Sequence, residues 1–347
     1  MKALLLAGGL GTRLRPLTEN LPKPMAPIAN RPWLEHLILH LKEQGIEELV
    51  VAARHCADVI RQHFGDGRRF GVHMAYAIEP FPLGTAGAIK NAERWLGDRF
   101  LVINADILHL PQVLPLLEFH RRHDGVATIA LTEVDDVSQY GVVEQTHTGE
   151  IVRFVEKPTP AEAPSNRINA GWYVFDAEVF DFIPAGREVS VERETFPTLI
   201  AKGAGVYGYV TGGYWQDMGT PQRYRQAHWD MLDGRLPVAR RGKQVQEGVW
   251  IGEGVTFAPG ALLVPPVLIG DGVAVGEHAL IGPYAVIGDN CYIGARAHVS
   301  RSILWNGSSI REKTRVSNTI FGTHTVAPAG ERIADAVVGT TGKAVRA

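Results

Sequence analysis

Residues 4–25 read LLLAGGLGTRLRPLTENLPKPM, an apolar run that breaks into glycines and then into spaced cations. The run from Ala3 to Ala7 is expected to form a buried parallel strand. Ala7, Gly8, Gly9, Gly11 and Thr12 then form a turn whose backbone N–H groups can approach a polyphosphate. Arg13 stands close to that turn, and Lys23 follows it beyond a bend bracketed by Pro22 and Pro24. Cations at two distances suit a nucleotide whose phosphates are handled at more than one point. The spacing matches neither GxxxxGK[ST] nor GxGxxG. An ordinary Gly-rich loop between strand and helix is the plain alternative.

The totals narrow the setting. The 347 residues carry 35 basic and 37 acidic side chains and a net charge of -2. No global field favours nucleic acid or an anionic membrane, so a polyanion must be bound locally. Length allows two domains, each with its own core. Cys56 and Cys291 lie far apart without metal-ligand spacing, which predicts a reduced, cytoplasmic protein. The opening MKALLLAGGL is too short for a signal segment, and no stretch approaches the roughly 20 apolar residues of a membrane span.

The chain has two grammars. Up to about residue 233, apolar runs (Lys2–Ala7, Glu48–Ala53, Val72–Ala77, Phe100–Ile103) alternate with stretches of helical spacing (Pro32–Gln44, Cys56–Phe64, Thr85–Trp95). That order predicts an α/β domain with a mainly parallel sheet and ligands beyond the strands' carboxyl ends. Asn104-Ala105-Asp106, directly after a strand, is well placed for chemistry. Residues 234–247 read as a connection. From 248 on, large apolar residues recur every six positions: Ile251, Phe257, Leu263, Ile269, Val275, Ile281, Ile287, Ile293, Val299 and Trp305. A mostly small column runs from Val255 through Cys291 and Ala297 to Ile303. A period of six predicts a left-handed parallel β-helix of a little over three coils in phase, with both columns inward. The pattern falters at Arg311, and Ile320 and Val326 return in another register.

Further segments sharpen the first half: Glu79-Pro-Phe-Pro-Leu-Gly84-Thr85-Ala-Gly87-Ala88, Tyr140-Gly141, Phe154-Val-Glu156-Lys157-Pro158, Asn169-Ala-Gly171 and Trp215-Gln-Asp217-Met-Gly219. In this order, together with residues 4–25, they resemble the sugar-1-phosphate nucleotidyltransferases, and most closely the mannose-1-phosphate guanylyltransferases that carry a C-terminal hexapeptide-repeat domain. The resemblance implies transfer of a nucleotidyl group from a nucleoside triphosphate to a sugar 1-phosphate, releasing pyrophosphate. It implies catalytic Arg13 and Lys23, and nucleotide contacts from Ala7, Gly8, Gly9, Gly11, Thr12, Glu79, Gly84 and Thr85. Tyr140, Gly141, Glu156, Lys157 and Asn169 would line the sugar-phosphate pocket, with Gly141 offering its N–H. Asp106 and Asp217 would hold Mg²⁺, whose hard oxygen ligands are usually one or two carboxylates plus phosphates. Ser190 to Pro197 also resembles a segment near that pocket. Two departures stand out: NAD where glycine or serine is more usual before the metal aspartate, and a repeat shorter than a fused acyltransferase.

Glu79 bears on the base. Guanine presents two adjacent donors to a carboxylate, whereas thymine and uracil suit a glutamine amide. This, with PKPM and LGTAGA, favours GTP over the dTTP of a glucose-1-phosphate thymidylyltransferase, and the resemblance implies mannose 1-phosphate as acceptor; Glu79 as a solvated strand-end residue is the plain alternative. A non-catalytic regulatory subunit that binds a nucleotide sugar is the alternative of another class, opposed by Arg13, Lys23, Asp106 and Asp217. Gly84 and Gly87 are expected to admit close packing and Thr85 to cap a helix. His278 and His298 read as exposed corner residues, and the repeat as an assembly surface for a homo-oligomer.

Overall fold

The computed structural model describes residues 1–339 and 344–346. The chain divides into two compact units, Met1–Leu10 with Leu37–Trp215, and Gly11–His36 with Gln216–Ala347. The first unit is built on strands β1 (Lys2–Leu6), β2 (Glu48–Ala53), β3 (His73–Ile78), β4 (Arg99–Asn104), β5 (Ile107–His109), β6 (Ala127–Glu133), β7 (Gly141–Gln145), β8 (Ile151–Glu156), β9 (Arg167–Asp176) and β10 (Val206–Val210). Nine of them form one sheet in the order β8-β7-β9-β4-β1-β2-β3, with β6 pairing β9 and β10. β1 runs parallel to β2 and β4, and β9 enters antiparallel to β4. The sheet is therefore mixed and mainly parallel around β1, whose Ala3, Leu4 and Leu5 are fully buried.

Helices α1 (Trp33–Glu43), α2 (Ala57–Phe64), α3 (Gly84–Asn91), α4 (Val113–Arg122) and α5 (Phe196–Ala201) follow the expected alternation. The stripe Leu34, Leu37, Ile38 and Leu41 is buried, as its spacing requires. The stretch expected to be one helix over Thr85–Trp95 instead ends α3 at Asn91. A 3₁₀ turn, Glu93–Trp95, follows, with the Arg94 guanidinium 3.9 Å over the Trp95 ring.

The second unit joins residues 11–36 to α6 (Pro221–Leu232) and the repeat. Thr220 caps α6 by accepting the Arg223 N–H, and Pro221 fills the first helical position, where no donor is needed. The repeat forms three parallel faces, the coils of a left-handed β-helix. Of residues 234–247, Lys243–Gln246 pairs antiparallel with Val249–Ile251 and starts the first of these faces.

The coil register departs from the six-residue period first after Val299, and again at the corners of Asn318 and Asp335. Ile251 pairs with Ile269 and Ile269 with Ile287, but Ile287 pairs with Leu304 and not with Trp305. The corner after Val299 is one residue shorter, and Arg301 turns it at φ 45°. Leu304, Ile310, Val316, Phe321, Ala327, the partly buried Ile333 and Val338 therefore continue the inward column. Trp305 lies outside it, as do Ile320 and Val326. The prism does not falter at Arg311 and runs past three coils. The small column passes through Ser302 instead of Ile303, then Ser308, Thr314, Thr319 and Thr325, all buried. Each of these hydroxyls donates to a backbone carbonyl at 2.6–2.8 Å, which makes a polar column tolerable inside an apolar prism. Phe257 is 42 % exposed because it belongs to the first coil, which has none beneath it. His278 is an exposed corner residue at φ 55°, whereas His298 is half-buried on a strand, His298–Ser300.

Candidate active site

In the first unit the chemistry-bearing residues gather at the carboxyl ends of β1, β3 and β4. Ala7 donates to Ala52 O at 2.8 Å and Ala105 to Leu6 O at 3.1 Å, tying the turn after β1 to the loop before Asp106. Ala105, which stands where glycine or serine is more usual in the resembling family, is fully buried. Glu79 closes over Gly8, where any Cβ would run into its Oε1. Its Oε2 accepts the Leu83 N–H at 3.3 Å, just before α3. Glu79 is therefore buried, which overturns the solvated alternative. Burial raises its pKa against the Leu83 N–H and the charge of Arg54, which lower it.

Gly84 and Gly87 meet backbone: a Cβ on either would press on the carbonyl of Val189 or Arg187. That carbonyl of Val189 accepts both Ala86 and Gly87 N–H groups, so α3 begins against the crossing segment 187–191. Gly84 also sits at φ +69°. Gly84→Ala is therefore expected to lower stability by about 2–4 kcal/mol, read from the urea midpoint. Thr85 is not a cap. It lies inside α3, donates to Glu192 Oε2 at 2.9 Å and accepts the Val191 N–H at 2.8 Å.

The residues expected around a sugar phosphate do come together, through groups the sequence left without a role. Glu156 has its pKa raised by burial and then by neighbouring Glu192. Glu192 also accepts the Ser190 hydroxyl at 2.8 Å. Asn169 donates to the buried Tyr173 Oη at 2.8 Å and accepts the Gly171 N–H, so its amide is internally bonded and fixed in orientation. Gly141 is required by packing, since a Cβ there would strike the Phe154 ring and come 3.0 Å from Glu156 Oε2. Lys157 is exposed at φ 50°, its N–H donating to Tyr140 O at 2.9 Å. The Tyr140 ring meets Trp215 edge-on at 5.0 Å. Hydroxyl-rich ligands suit such a fixed set of donors and acceptors.

The second unit holds the other charged residues. Gly11 takes φ 58°, and Thr12–Leu14 is a 3₁₀ turn with Arg13 exposed on it. Thr18 Oγ1 pins this turn by donating to Gly11 O at 2.8 Å. Lys23 is buried, its Nζ 3.9 Å from Asp217 Oδ1. Arg223 Nη1 donates to Asp217 Oδ2 at 2.5 Å. Asp217 Oδ1 itself is buried without a hydrogen-bond partner. Arg223 escaped the sequence reading because only the first turn of α6 carries it back to Asp217. Among the described residues no group of three or more His, Cys, Asp or Glu side chains could hold a metal, and no helix is long and apolar enough to cross a membrane.

The family profile described as Nucleotidyl transferase matches residues 2–234, and that described as GMPPB C-terminal domain matches 263–346. A mannose-1-phosphate guanylyltransferase of Mycobacterium tuberculosis is 42 % identical over 249 residues, 70 % of this chain and 69 % of that protein. A UTP–glucose-1-phosphate uridylyltransferase of Synechocystis is 37 % identical, covering 72 % of this chain and 68 % of the relative. The crystal structure of HddC from Yersinia pseudotuberculosis complexed with GMP-PN matches with a TM-score of 0.57 at 30 % identity, over 66 % of this chain and 99 % of that one. With one profile spanning the whole strand-and-helix region and a second on the coils, this chain belongs to the nucleotidyl transferase family.

Proposed function

We propose that this enzyme makes an NDP-sugar by guanylyl transfer from GTP to mannose 1-phosphate, releasing pyrophosphate. The observation that carries the reading is the charged set itself: buried Lys23 beside Asp217, with Arg13 on the turn that follows the glycines. A phosphate oxygen of the sugar phosphate attacks the α-phosphorus in line, and the bond to the β-phosphate breaks. No protein nucleophile is needed, so catalysis is positioning plus neutralisation of charge. Arg13 stabilises the triphosphate and its departing pyrophosphate, while Lys23 and Lys157 draw the two anions together. Glu156 and Asn169 bond sugar hydroxyls, and Ala7, Gly8, Gly9, Gly11, Thr12, Gly84 and Thr85 shape the nucleotide side. Asp106 and Asp217 are the residues that would hold Mg²⁺, and Asp217 Oδ1, buried and accepting no hydrogen bond, suits a hard cation. Bound there, the ion supplies neutralisation of phosphate charge.

The Mycobacterium relative and the nucleotide in the HddC structure support the guanine reading; the Synechocystis relative supports a uridylyltransferase as the second. The free thiols of Cys56 and Cys291 fit a cytoplasmic enzyme, with Cys291 buried and pushed up to about 12. Exposed faces and ends of the coils fit a homo-oligomer.

The test is pyrophosphate release with Mg²⁺, crossing GTP, dTTP, UTP, CTP and ATP with mannose, glucose, galactose and glucosamine 1-phosphates. Fastest turnover is expected with GTP and mannose 1-phosphate. Preference for another base would sink the Glu79 argument and keep the enzyme class. Silence in every well, with nucleotide-sugar binding by calorimetry, would favour a regulatory subunit. Glu79→Gln is expected to shift the GTP to UTP ratio of kcat/KM towards UTP by at least about 10-fold, the effect of one recognition hydrogen bond to a charged group. An unchanged ratio leaves Glu79 only its part over Gly8 and at the start of α3.

A further inference from the structure

The segment that carries Lys23 has little structure of its own. It consists of a 3₁₀ turn, Lys23–Met25, and a hairpin of two-residue strands, Pro27–Ile28 and Arg31–Pro32. So small a hairpin is not stable alone. Its central residues, Ala29 and Asn30, both take positive φ, 50° and 61°. That geometry is the favoured two-residue turn, but a Cβ at Ala29 strains it, so something must hold it in place.

The β-helix holds it. Asn30 Nδ2 donates to the carbonyl of Ile287 at 2.8 Å in a buried contact. Leu17 and Pro16 lie against Gly322 and Gly339 of later coils, where a Cβ on Gly339 would come 2.7 Å from Pro16. Trp305, displaced outward by the short corner, donates its indole N–H to Tyr224 Oη at 3.0 Å. Tyr224 in turn donates to Pro27 O at 2.5 Å. Its own N–H bonds Thr220 O at 2.9 Å in the first turn of α6, next to the Asp217 loop. One buried phenol thus ties together the Lys23 segment, the Asp217 loop and a coil of the prism. The outward column Leu268, Val286, Ile303, Ile320 and Val337 is buried along the same face.

We infer that the β-helix positions Lys23 for nucleotidyl transfer, with Trp305, Tyr224 and Asn30 as positioning residues. This rests on the role proposed above for Lys23. A displacement of about 1 Å in a group that neutralises charge in the transition state can cost on the order of 10²-fold, so loosening the tether reaches the reaction without touching substrate.

The experiment is a double-mutant cycle in the full-length enzyme, following pyrophosphate release with Trp305→Phe, Lys23→Ala and the double variant. Trp305→Phe keeps the ring and removes only the N–H. It is expected to lower kcat by on the order of 10-fold to 10²-fold with KM for sugar 1-phosphate unchanged, the pattern of an interaction expressed in the transition state. In the Lys23→Ala background the same change is expected to cost less than about 2-fold, because the group it positions is gone. Amide hydrogen exchange should quicken at residues 23–30 and stay slow in the coils. Asn30→Ala, on a separate tether, is expected to repeat the pattern and covers the case in which Trp305→Phe folds poorly. Losses that multiply fully in the double variant, or an unchanged kcat despite faster exchange, would overturn the inference. Full activity of Lys23→Ala alone would be a different failure, since it removes the role of Lys23 on which the positioning depends.

Discussion

Alanine at Arg13 or Lys23 is expected to lower turnover by on the order of 10²–10³, as loss of one preorganised charge stabiliser does. The two sites separate chemistry from packing. Arg13 is exposed on its 3₁₀ turn, so Arg13→Ala should leave stability within about 0.5 kcal/mol of the parent while turnover collapses. Lys23 is buried against Asp217, so its loss removes a cation from a carboxylate that also accepts a hydrogen bond from Arg223. A fall in melting temperature is therefore expected for Lys23→Ala besides the fall in kcat. Steady-state pyrophosphate release with thermal melts measures both. Undiminished turnover in Arg13→Ala would remove its assignment to the departing pyrophosphate.

Stability is expected to fall steeply on acidification, through histidines held neutral. Burial brings His109 and His228 down to about 4 from 6.5, against carbonyl groups that pull them upward. His109 bonds Tyr214 O and Thr211 Oγ1, and His228 bonds Tyr224 O. The unfolded chain takes up protons near pH 6.5, whereas the folded chain resists until about pH 4. Each neutral imidazole therefore contributes about 3 kcal/mol above pH 6.5, and that contribution is lost as pH falls from 6.5 to 4. His36, His40 and His120 are lowered by burial too and act in the same direction. Urea midpoints at pH 7.5, 6.5, 5.5 and 4.5 should decline, and His228→Gln should reduce the slope by up to one proton. A flat midpoint over that range would show that these imidazoles are free to charge in the folded state.

Periodic features were legible in the sequence because they are local. Alternation of strands and helices, the stripe on α1 and the inward residues from Ile269 to Val299 follow from spacing alone, and burial agrees. The glycine turn and the position of Asp106 after β4 were legible for the same reason. Thr85 was misread as a cap because its hydroxyl bonds across to Val191 and Glu192, partners that propensity within α3 does not reveal. Tyr173 and Arg223 carried no signal of their own, and Glu192 only that of the segment it lies in, since their part comes from neighbours brought close by the chain path.

The amino-acid sequence by itself determined the two architectures and the family chemistry, because period, turn residues and charged motifs act over a few residues. Tertiary structure decided the rest. The prism lost one residue at the corner after Val299, and this turned Trp305 out towards Tyr224. Glu79 came to rest on Gly8. Lys23 joined a unit that includes the coils, not the strand that precedes it. Each outcome depends on contacts between segments distant in sequence. Such contacts are selected by how volumes and hydrogen-bond partners fit once the whole chain is packed.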